Sequence, residues 1–428
     1  MLPLDDQTLE RVTSGRPEWA AAHARRAFDA YTSMPMPDPK QEEWRYVEVP
    51  QGLADLLIPE GPGEPLDGDP GLDAALADPA GRALVVDGHT VHVTGGGDAE
   101  FTGLAAAIGA GADHLAAVYD EGIPADLDRF SAAHHAFGTD GVYLRAPKGA
   151  ASAEPYVVEV QAVTPGAVTF PRLVVDAGAG SQVSVVVVQR SPDGLAATVV
   201  PQIEVRAGDN ANVAVTTIQR WGDRMVAVGH QRLKAGRDAH VGLSEFGLGG
   251  AGARMHLTVD LEGQGSDARI LGMYFGENDQ TLDYRAFMNH KAPNTTSEMF
   301  LKGAVADHAR SVFTGLIRIE PEGQKTNAHQ TNRNLVLSEG AEAHSVPNLE
   351  ILANDVRCGH GSAVGPLDED QRYYLMSRGL DRGRADRLQV KGFFEEVLAR
   401  FPLQSLEPPL RIAAMAKYDR VVARGAAS

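Results

Sequence analysis

The sequence predicts a mainly β protein with a right-handed parallel β-helix core, flanked by an N-terminal α/β region and a C-terminal α-helical region. Three observations predict this. From Tyr143 onwards β-branched residues alternate and glycines recur. A short strand–turn–strand unit then recurs, with turn glycines 30, 28 and 27 residues apart at Gly178, Gly208, Gly236 and Gly263. No helical pattern interrupts the strands before Asp368, so neighbouring coils must bury each other's apolar faces, as in a solenoid.

Two further copies of the unit place glycines at 323 and 340, and a degenerate copy lies near Lys291–Asn294. Asp, Asn and Gly at these corners supply the left-handed or bent backbone that the turns require. An antiparallel sandwich is the rival interpretation. That fold would use two-residue hairpin turns such as Asn-Gly, which are scarce between residues 150 and 360.

Residues 1–140 form the predicted N-terminal region, which is mostly helical and contains one hairpin. Trp19, His23, Ala27 and Tyr31 follow a helical spacing. Two alternating strands flank Asp87-Gly88, a strong signal for a type I′ hairpin. The β-helix is predicted over residues 141–365 and the C-terminal helical region over 366–428.

The C-terminal region is predicted to open with a helix capped by Asp368 and closed by Gly379. A second helix over about 383–401 has one apolar face, formed by Leu388, Phe394, Val397, Leu398 and Phe401. A last amphipathic segment runs through Ile412, Met415 and Val422. Such helices can cap the solenoid or offer an apolar face to a partner.

Composition excludes several classes of function. The formal net charge of −18 disfavours binding to nucleic acid or to anionic lipid surfaces. The chain has one cysteine and no signal-peptide pattern at its start, so we expect a cytoplasmic protein that does not enter a membrane. There is no phosphate-binding G-x-x-x-x-G-K-[ST] loop, G-x-S-x-G elbow or H-E-x-x-H helix, and the sequence therefore gives little support to an enzyme.

Cys358-Gly-His360 is the sharpest chemical feature. A thiolate and an imidazole suit a transition metal such as iron or zinc, but two ligands do not complete a tetrahedral site. The same residues are also consistent with a small buried side chain and a hydrogen-bonded surface histidine. His329 and His344 could lie on neighbouring coils. The asparagines at 327, 332, 334 and 348 are predicted to form turn ladders along the solenoid, and His134-His135 to be a packed pair.

Four phrases near the end of the chain resemble one known family. They are Asn332-Arg-Asn-Leu-Val-Leu, Ala343-His-Ser-Val-Pro-Asn-Leu-Glu350, Asp355-Val-Arg-Cys-Gly-His-Gly361 and Asp370-Gln-Arg-Tyr-Tyr-Leu-Met-Ser-Arg-Gly379. Together they resemble the SufB/SufD scaffold proteins of the SUF iron–sulfur cluster assembly machinery. Glu43-Trp-Arg-Tyr46 is similar to the family's N-terminal region, and the predicted solenoid matches its β-helix.

Within the family, the chain resembles the SufD branch. SufB proteins carry a cysteine, thought to receive sulfur, where this chain has Ala341. They also tend to carry a glutamate where this chain has Gly361. The C-x-H-G pattern of the SufD branch matches Cys358, His360 and Gly361.

The resemblance implies a non-catalytic scaffold that pairs with SufB and docks the ATPase SufC. It implies His360, and less strongly Cys358, at the cluster-assembly interface, where either could be a transient metal ligand. The cofactors expected are a transient iron–sulfur cluster shared with SufB, and ATP only through SufC. SufC would dock on the C-terminal helices, for which the predicted residues are Asp368, Gln371, Tyr374, Leu375, Arg378 and Phe394.

Three alternatives stay open at the level of sequence. The isolated chain could form a homodimer in place of the heterodimer. A SufB-like paralogue that accepts sulfur itself is disfavoured by Ala341. A β-helix polysaccharide lyase or hydrolase is disfavoured because the class is mostly exported and uses aromatic platforms, whereas aromatic residues make up only 6% of this chain.

Overall fold

A computed structural model describes residues 1–38, 40–46, 55–111 and 114–427 of the chain. About 40% of the residues lie in strands and 25% in helices. The strands wind into a parallel β-solenoid of about eight turns, with helices at its N-terminal and C-terminal ends. The predicted mainly β fold with a parallel solenoid core is confirmed.

In its described residues, the N-terminal region combines helices with three strands. Its elements are α1 (Asp6–Thr13), α2 (Glu18–Ser33), a 3-10 turn (Glu42–Trp44), α3 (Pro70–Ala75), β1 (Gly81–Val86), β2 (His89–Gly95), β3 (Glu100–Gly103), α4 (Leu104–Gly109), α5 (His114–Glu121) and α6 (Arg129–Phe137). The predicted β1–β2 hairpin is confirmed, since Asp87 and Gly88 have φ of 49° and 82°, both in the left-handed region that a type I′ turn needs.

The solenoid follows as an unbroken series of strands. These are β4 (Gly141–Ala146), β5 (Tyr156–Gln161), β6 (Val168–Thr169), β7 (Arg172–Ala177), β8 (Gln182–Arg190), β9 (Thr198–Val199), β10 (Gln202–Ala207), β11 (Asn212–Arg220), β12 (Val226–Ala235), β13 (His240–Gly247), β14 (Gly252–Leu261), β15 (Asp267–Gly276), β16 (Thr281–His290), β17 (Thr296–Val305), β18 (Arg310–Ile319), β19 (Asn327–Val336), β20 (Glu342–Ile351) and β21 (Arg357–Gly365).

The strands form two long sheets that face each other. Sheet A has the order β2-β1-β5-β8-β11-β13-β15-β17-β19-β21, and sheet B has the order β20-β18-β16-β14-β12-β10-β7-β4-β3. Successive coils pair in register, so equivalent residues stack in columns inside the solenoid. The main core fills this interior and consists largely of Val, Leu, Ile and Ala side chains. Each coil is therefore stabilised by its neighbours.

Polar corner residues turn the chain from sheet B to sheet A. Asn210, Asp238 and Asn294 have φ between 53° and 59° at three of these corners, as predicted. The degenerate repeat near Lys291–Asn294 is also a corner, between β16 and β17. The assignment of Gly340 to the same series was wrong. Gly340 lies at the opposite corner, between β19 and β20, which explains why the spacing shortens there.

The His134–His135 pair packs where α6 meets sheet B, as predicted. His134 Nδ1 bonds to the carbonyl of Val200 at 2.7 Å, and burial lowers the pKa of both imidazoles well below its usual value. Trp44 is also buried in this region. Its ring lies between Phe130, at 5.7 Å, and the guanidinium of Arg254, at 3.8 Å. The Glu43–Tyr46 segment is thereby fixed on the outer face of sheet B.

The C-terminal helices are α7 (Glu369–Ser377), α8 (Arg382–Leu398) and α9 (Glu407–Ala427), with a 3-10 turn at Gln404–Leu406. The predicted cap at Asp368 is confirmed, because its carboxylate accepts from the backbone N–H groups of Asp370 and Gln371. Gly379 has the left-handed conformation predicted for the closing glycine, with φ of 95°. Among the described helices, none is long and apolar enough to cross a membrane.

Two predicted apolar faces were partly wrong. Phe394, Val397, Leu398 and Phe401 are buried against sheet A, but Leu388 is exposed. In α9, Met415 is buried whereas Ile412 and Val422 are exposed. The reason is that α8 and α9 also contact each other, so the buried face of each helix is set by two neighbours and not by one.

Candidate functional site

The last coil of the solenoid, β20 and β21, carries the residues of interest. Among the described residues, each of these strands has a hydrogen-bonded neighbour on one side only, β18 for β20 and β19 for β21. The corner between them is held in register by the coil before, where the N–H of Lys325 donates to the carbonyl of Asp355 (2.6 Å) and the N–H of Arg357 to that of Thr326 (2.8 Å). The coil is therefore ordered although its outer edge is open.

Cys358 and His360 share the inward face of β21. In register, Cys358 lies beside Ala328, and His360 beside Gln330; both neighbours are fully buried in the interior. The two-residue spacing thus places both side chains on one face, as a strand requires. They differ in exposure. Cys358 is half-buried against the main core, whereas His360 is exposed at the open end.

The thiol of Cys358 is a weak nucleophile in this position. Burial raises the pKa of the Cys358 thiol, and a hydrogen bond from the backbone of Gly359 only partly offsets that effect. Since the thiolate is the reactive and metal-binding form, burial disfavours both reactions until a metal or a partner stabilises the anion. His360 is the better placed donor of the two.

Ala341 lies at the opposite corner of the same coil. Its methyl group is buried in a small apolar cluster with Val305 and Ala309. Ala341 is therefore a packing residue with no chemically reactive group.

The histidines at 329 and 344 do not come together. His329 alternates with inward-facing Ala328 and Gln330 and so lies on the outer face of sheet A. His344 lies on the outer face of sheet B, where its ring stacks on Tyr46 at 4.6 Å. Within the part of the chain that the structure describes, no group of three or more His, Cys, Asp or Glu side chains is arranged to hold a metal ion.

The predicted asparagine ladders were wrong. Asn332 and Asn334 lie within β19 and point into the solenoid, where the hydroxyl of Tyr274 donates to Asn334 Oδ1 (2.7 Å) and Asn334 Nδ2 donates to Asn332 Oδ1 (2.7 Å). Asn327 begins β19, and Asn348 lies on the outer face of β20. Tyr274, Asn332 and Asn334 therefore form a buried hydrogen-bond network beneath the last coil.

Sequence reasoning missed Gln330, which belongs to the same face as Asn332 and Asn334. The signal was the alternation in Asn327-Ala-His-Gln-Thr-Asn-Arg-Asn334, which places three amides two residues apart on one strand face. Gln330 is fully buried directly beneath His360. The layer of side chains directly beneath the open coil is therefore polar.

The proposed docking region on the C-terminal helices is only partly on the surface. Asp368, Gln371, Tyr374 and Arg378 are exposed and Leu375 is half-buried, but Phe394 is buried against Phe275 with ring centroids 6.1 Å apart. Phe394 therefore holds α8 on sheet A and does not present its ring to a partner. The neighbouring Tyr373, Met376 and Leu388 are exposed instead.

A buried lysine ties α8 to the solenoid. Lys302 of β17 donates from Nζ to the carbonyl of Phe393 (2.8 Å) and forms an ion pair with Glu396. On α7, Arg372 is buried between Glu369 and Asp386, which joins α7 to α8. These contacts join α7 to α8 and α8 to sheet A.

Comparisons with known proteins agree with the resemblance noted in the sequence. A family model described as "SUF system FeS cluster assembly, SufBD core domain" matches residues 160–393, more than half of the chain. An iron–sulfur cluster assembly SufBD family protein of Mycobacterium leprae is 37% identical over 196 residues, which are 44% of this chain and 50% of that protein.

Two proteins named SufD are also similar. The Escherichia coli protein is 34% identical over 168 residues, 39% of this chain and 40% of its own length. The Bacillus subtilis protein is 34% identical over 153 residues, 36% of this chain and 35% of its own length. The chain spans about half the length of the mycobacterial relative it matches, and less of these two.

Proposed function

Since the chain belongs to the SufB/SufD family of the SUF iron–sulfur cluster assembly system and is SufD-like, we propose that it is a non-catalytic scaffold subunit. It pairs with SufB through the open end of its solenoid and docks the ATPase SufC on its C-terminal helices. The complex acts in the cytoplasm. The iron–sulfur cluster is its transient cargo, and ATP is used only by SufC.

The observation that carries the proposal is the open last coil. The sides of β20 and β21 that pair with no strand in the described part of the chain offer rows of backbone N–H and C=O groups, which bind a partner strand by extending the sheet. Exposed apolar side chains lie on the same coil, with Ile351 at 42% and Val364 at 46% exposure. A second solenoid is a natural partner, because its own strands can continue both sheets.

His360 is the proposed cluster ligand from this subunit. Its imidazole is exposed on the inward face of β21, where a partner seated on the coil would enclose it. Iron binds imidazole and thiolate, so Cys358 could be a second ligand once its proton is released. Two donors are too few for a closed tetrahedral site. The remaining ligands must therefore come from sulfide or from SufB.

The SufC docking surface is proposed on α7 and the exposed side of α8. Tyr373 is 76% exposed, and Tyr374, Met376 and Leu388 also lie on the surface. An exposed patch of large apolar and aromatic side chains marks an interaction site on a protein surface. The links through Arg372 and Lys302 offer a physical route by which movement of SufC could reach the sheets that contact SufB.

Two residues disfavour the sulfur-accepting alternative. Ala341 is buried and unreactive, and burial raises the pKa of the Cys358 thiol. The polysaccharide lyase alternative is disfavoured, since the SufBD family model matches residues 160–393, the core in which such an enzyme would form its groove. A homodimer of the isolated chain remains a competing state of the same open coil.

Co-expression with SufB and SufC tests the proposal. We expect a stable three-component complex on size-exclusion chromatography, and an isolated chain that is monomeric or homodimeric. A chain that does not associate with SufB would contradict the scaffold role. In the complex, His360→Ala should leave assembly intact but lower the iron and acid-labile sulfide recovered after anaerobic purification; unchanged iron and sulfide would reject the ligand role of His360.

A further inference from the structure

Gln330 breaks the pattern of the interior column to which His360 belongs. The strand registers place side chains of sheet A in one continuous stack, ordered Val185, Val215, Leu243, Ile270, Met299, Gln330 and His360. Five successive members are apolar and fill the core. The stack becomes polar only at its last two positions. Gln330 lies directly below the open end, and His360 lies at it.

The carboxamide of Gln330 is buried without a partner. The residue is 1% exposed, and neither Oε1 nor Nε2 has a hydrogen-bond partner among the described residues. A buried amide without a partner lowers stability, so such groups are rare and call for an explanation. An apolar residue would continue the column at lower cost.

The side chain of Gln330 is held across the interior by a gap in the opposite sheet. Gly315 of β18 provides that gap, because a Cβ at this position would lie 2.6 Å from Gln330 Oε1 and 2.7 Å from the ring of Phe313. The glycine is thus required for the amide to lie extended beneath the last coil. The conformation of Gln330 is therefore specified from both sheets.

We propose that Gln330 is the positioning residue for His360, which rests on the proposed function of His360 as a cluster ligand. When SufB closes the open coil, the imidazole turns inward and donates one ring N–H to Gln330 Oε1. The other ring nitrogen is then directed outward to iron. Metal-binding histidines almost always donate their second N–H to such an acceptor, which fixes the tautomer and the orientation of the ring.

The experiment compares Gln330→Leu with two other variants in the SufB–SufC complex. Loss of an outer-shell hydrogen bond to a ligating histidine typically lowers metal affinity or activity by about 10–100-fold, so we expect roughly tenfold slower cluster formation in Gln330→Leu. Gln330→Glu, which keeps an acceptor, should restore part of the rate. Gln189→Leu is the matched control, because Gln189 is also buried and has an unpartnered Oε1, but lies far from the open end.

A second measurement reads the hydrogen bond directly, first in the wild-type complex and then in Gln330→Leu. In the wild-type complex, ¹⁵N NMR of the His360 ring should show a single fixed tautomer, and a structure should place a ring nitrogen within about 3.2 Å of Gln330 Oε1. Gln330→Leu should release the tautomer. Normal cluster formation in Gln330→Leu, or an amide that remains without contact to the ring in the complex, overturns the inference.

The outcomes separate this inference from the proposal on which it rests. If His360→Ala forms clusters normally, the proposed role of His360 fails. If His360→Ala loses clusters while Gln330→Leu and the wild type form them equally well, only the role of Gln330 fails.

Discussion

The two ends of the solenoid are built differently. At the N-terminal end, strand β3 runs antiparallel to β4 and carries Phe101, which closes the interior against Tyr156 with ring centroids 5.1 Å apart. Phe101 is only 8% exposed. At the C-terminal end, the equivalent interior positions are occupied by His360, Ser362 and Val364, all of which are exposed.

The edge strands differ in the same way. At the N-terminal end β3 has four residues, and the β1–β2 pairing contains a register shift between Leu84 and Val85. Short and irregular edges are common means of preventing strand addition. β20 and β21 have ten and nine residues and regular pairing to their single neighbours. The short, irregular edges at the N-terminal end therefore disfavour pairing with a partner strand, whereas the long, regular edges at the C-terminal end favour it.

Buried charged side chains also stabilise the N-terminal end of the solenoid. Arg172 and Glu204 form an ion pair inside the protein, with Arg172 Nε 3.0 Å from Glu204 Oε2. The guanidinium lies 3.7 Å from the ring centre of Tyr119, and Glu204 Oε1 accepts from the N–H of Ile123 at 2.8 Å. This network joins α5 and the loop after it to sheet B.

The largest expected effect comes from breaking this network. Glu204→Gln leaves the Arg172 guanidinium buried without its counter-charge, which should lower the free energy of unfolding by roughly 3–5 kcal/mol in chemical denaturation. The control is Glu342→Gln, which removes the exposed ion pair between Arg310 of β18 and Glu342 of β20 and should cost less than about 1 kcal/mol. Similar losses in both variants would contradict the claim that the ends differ.

The next effect concerns binding. Val364→Asp places a charge on the open coil, and it should weaken the complex with SufB by about 2 kcal/mol, or roughly 30-fold in Kd by titration calorimetry. Val91→Asp is the matched control, since Val91 is 44% exposed on the edge strand β2 at the other end. A weaker complex with Val91→Asp, and an unchanged one with Val364→Asp, would reverse the assignment of the two ends.

The smallest effect is a pH dependence of stability, from the middle of the solenoid. Glu245 is buried in the interior, where it accepts from Gln231 Nε2, and burial raises the pKa of its carboxyl from 4.5 to about 8. Between these values the folded chain keeps a proton that the unfolded chain releases. Stability should therefore fall as pH rises, by up to about 1.4 kcal/mol per pH unit between pH 6 and 7 from this group.

Glu245→Gln isolates that contribution. The difference in unfolding free energy between the variant and the wild type should grow in favour of the variant as pH rises through this window. A difference that does not change with pH would show that Glu245 is ionised in the folded protein.

The sequence was sufficient to predict what local chemistry determines. Asp87-Gly88 gave the hairpin, Asp368 the helix cap, and the spacing of corner glycines the solenoid. Asp87 and Gly88 adopt the left-handed conformation, the Asp368 carboxylate accepts from the free N–H groups at a helix start, and a Cβ at the corner glycines would meet the backbone of the coil before. The same reasoning assigned Gly340 to the wrong corner, because both corners of a coil need such residues.

What the sequence could not give depends on contacts between distant segments. The asparagines of β19 have the composition of a turn, yet the register with β17 turns Asn332 and Asn334 inward. Phe394 and Leu388 have similar hydrophobic character, but only Phe394 meets sheet A. Which face of a strand or helix is buried depends on the elements packed against it, and these are known only once the fold is known.

Hydrogen–deuterium exchange of the chain, alone and with SufB, tests the central claim most directly. Partner strands on the open coil should slow exchange of amides in 342–351 and 357–365, because they would supply acceptors for N–H groups at the free edges. Exchange in β2, residues 89–95, should not change. Protection at β2 with no change in β20 and β21 would contradict the claim that the C-terminal coil is the partner-binding end.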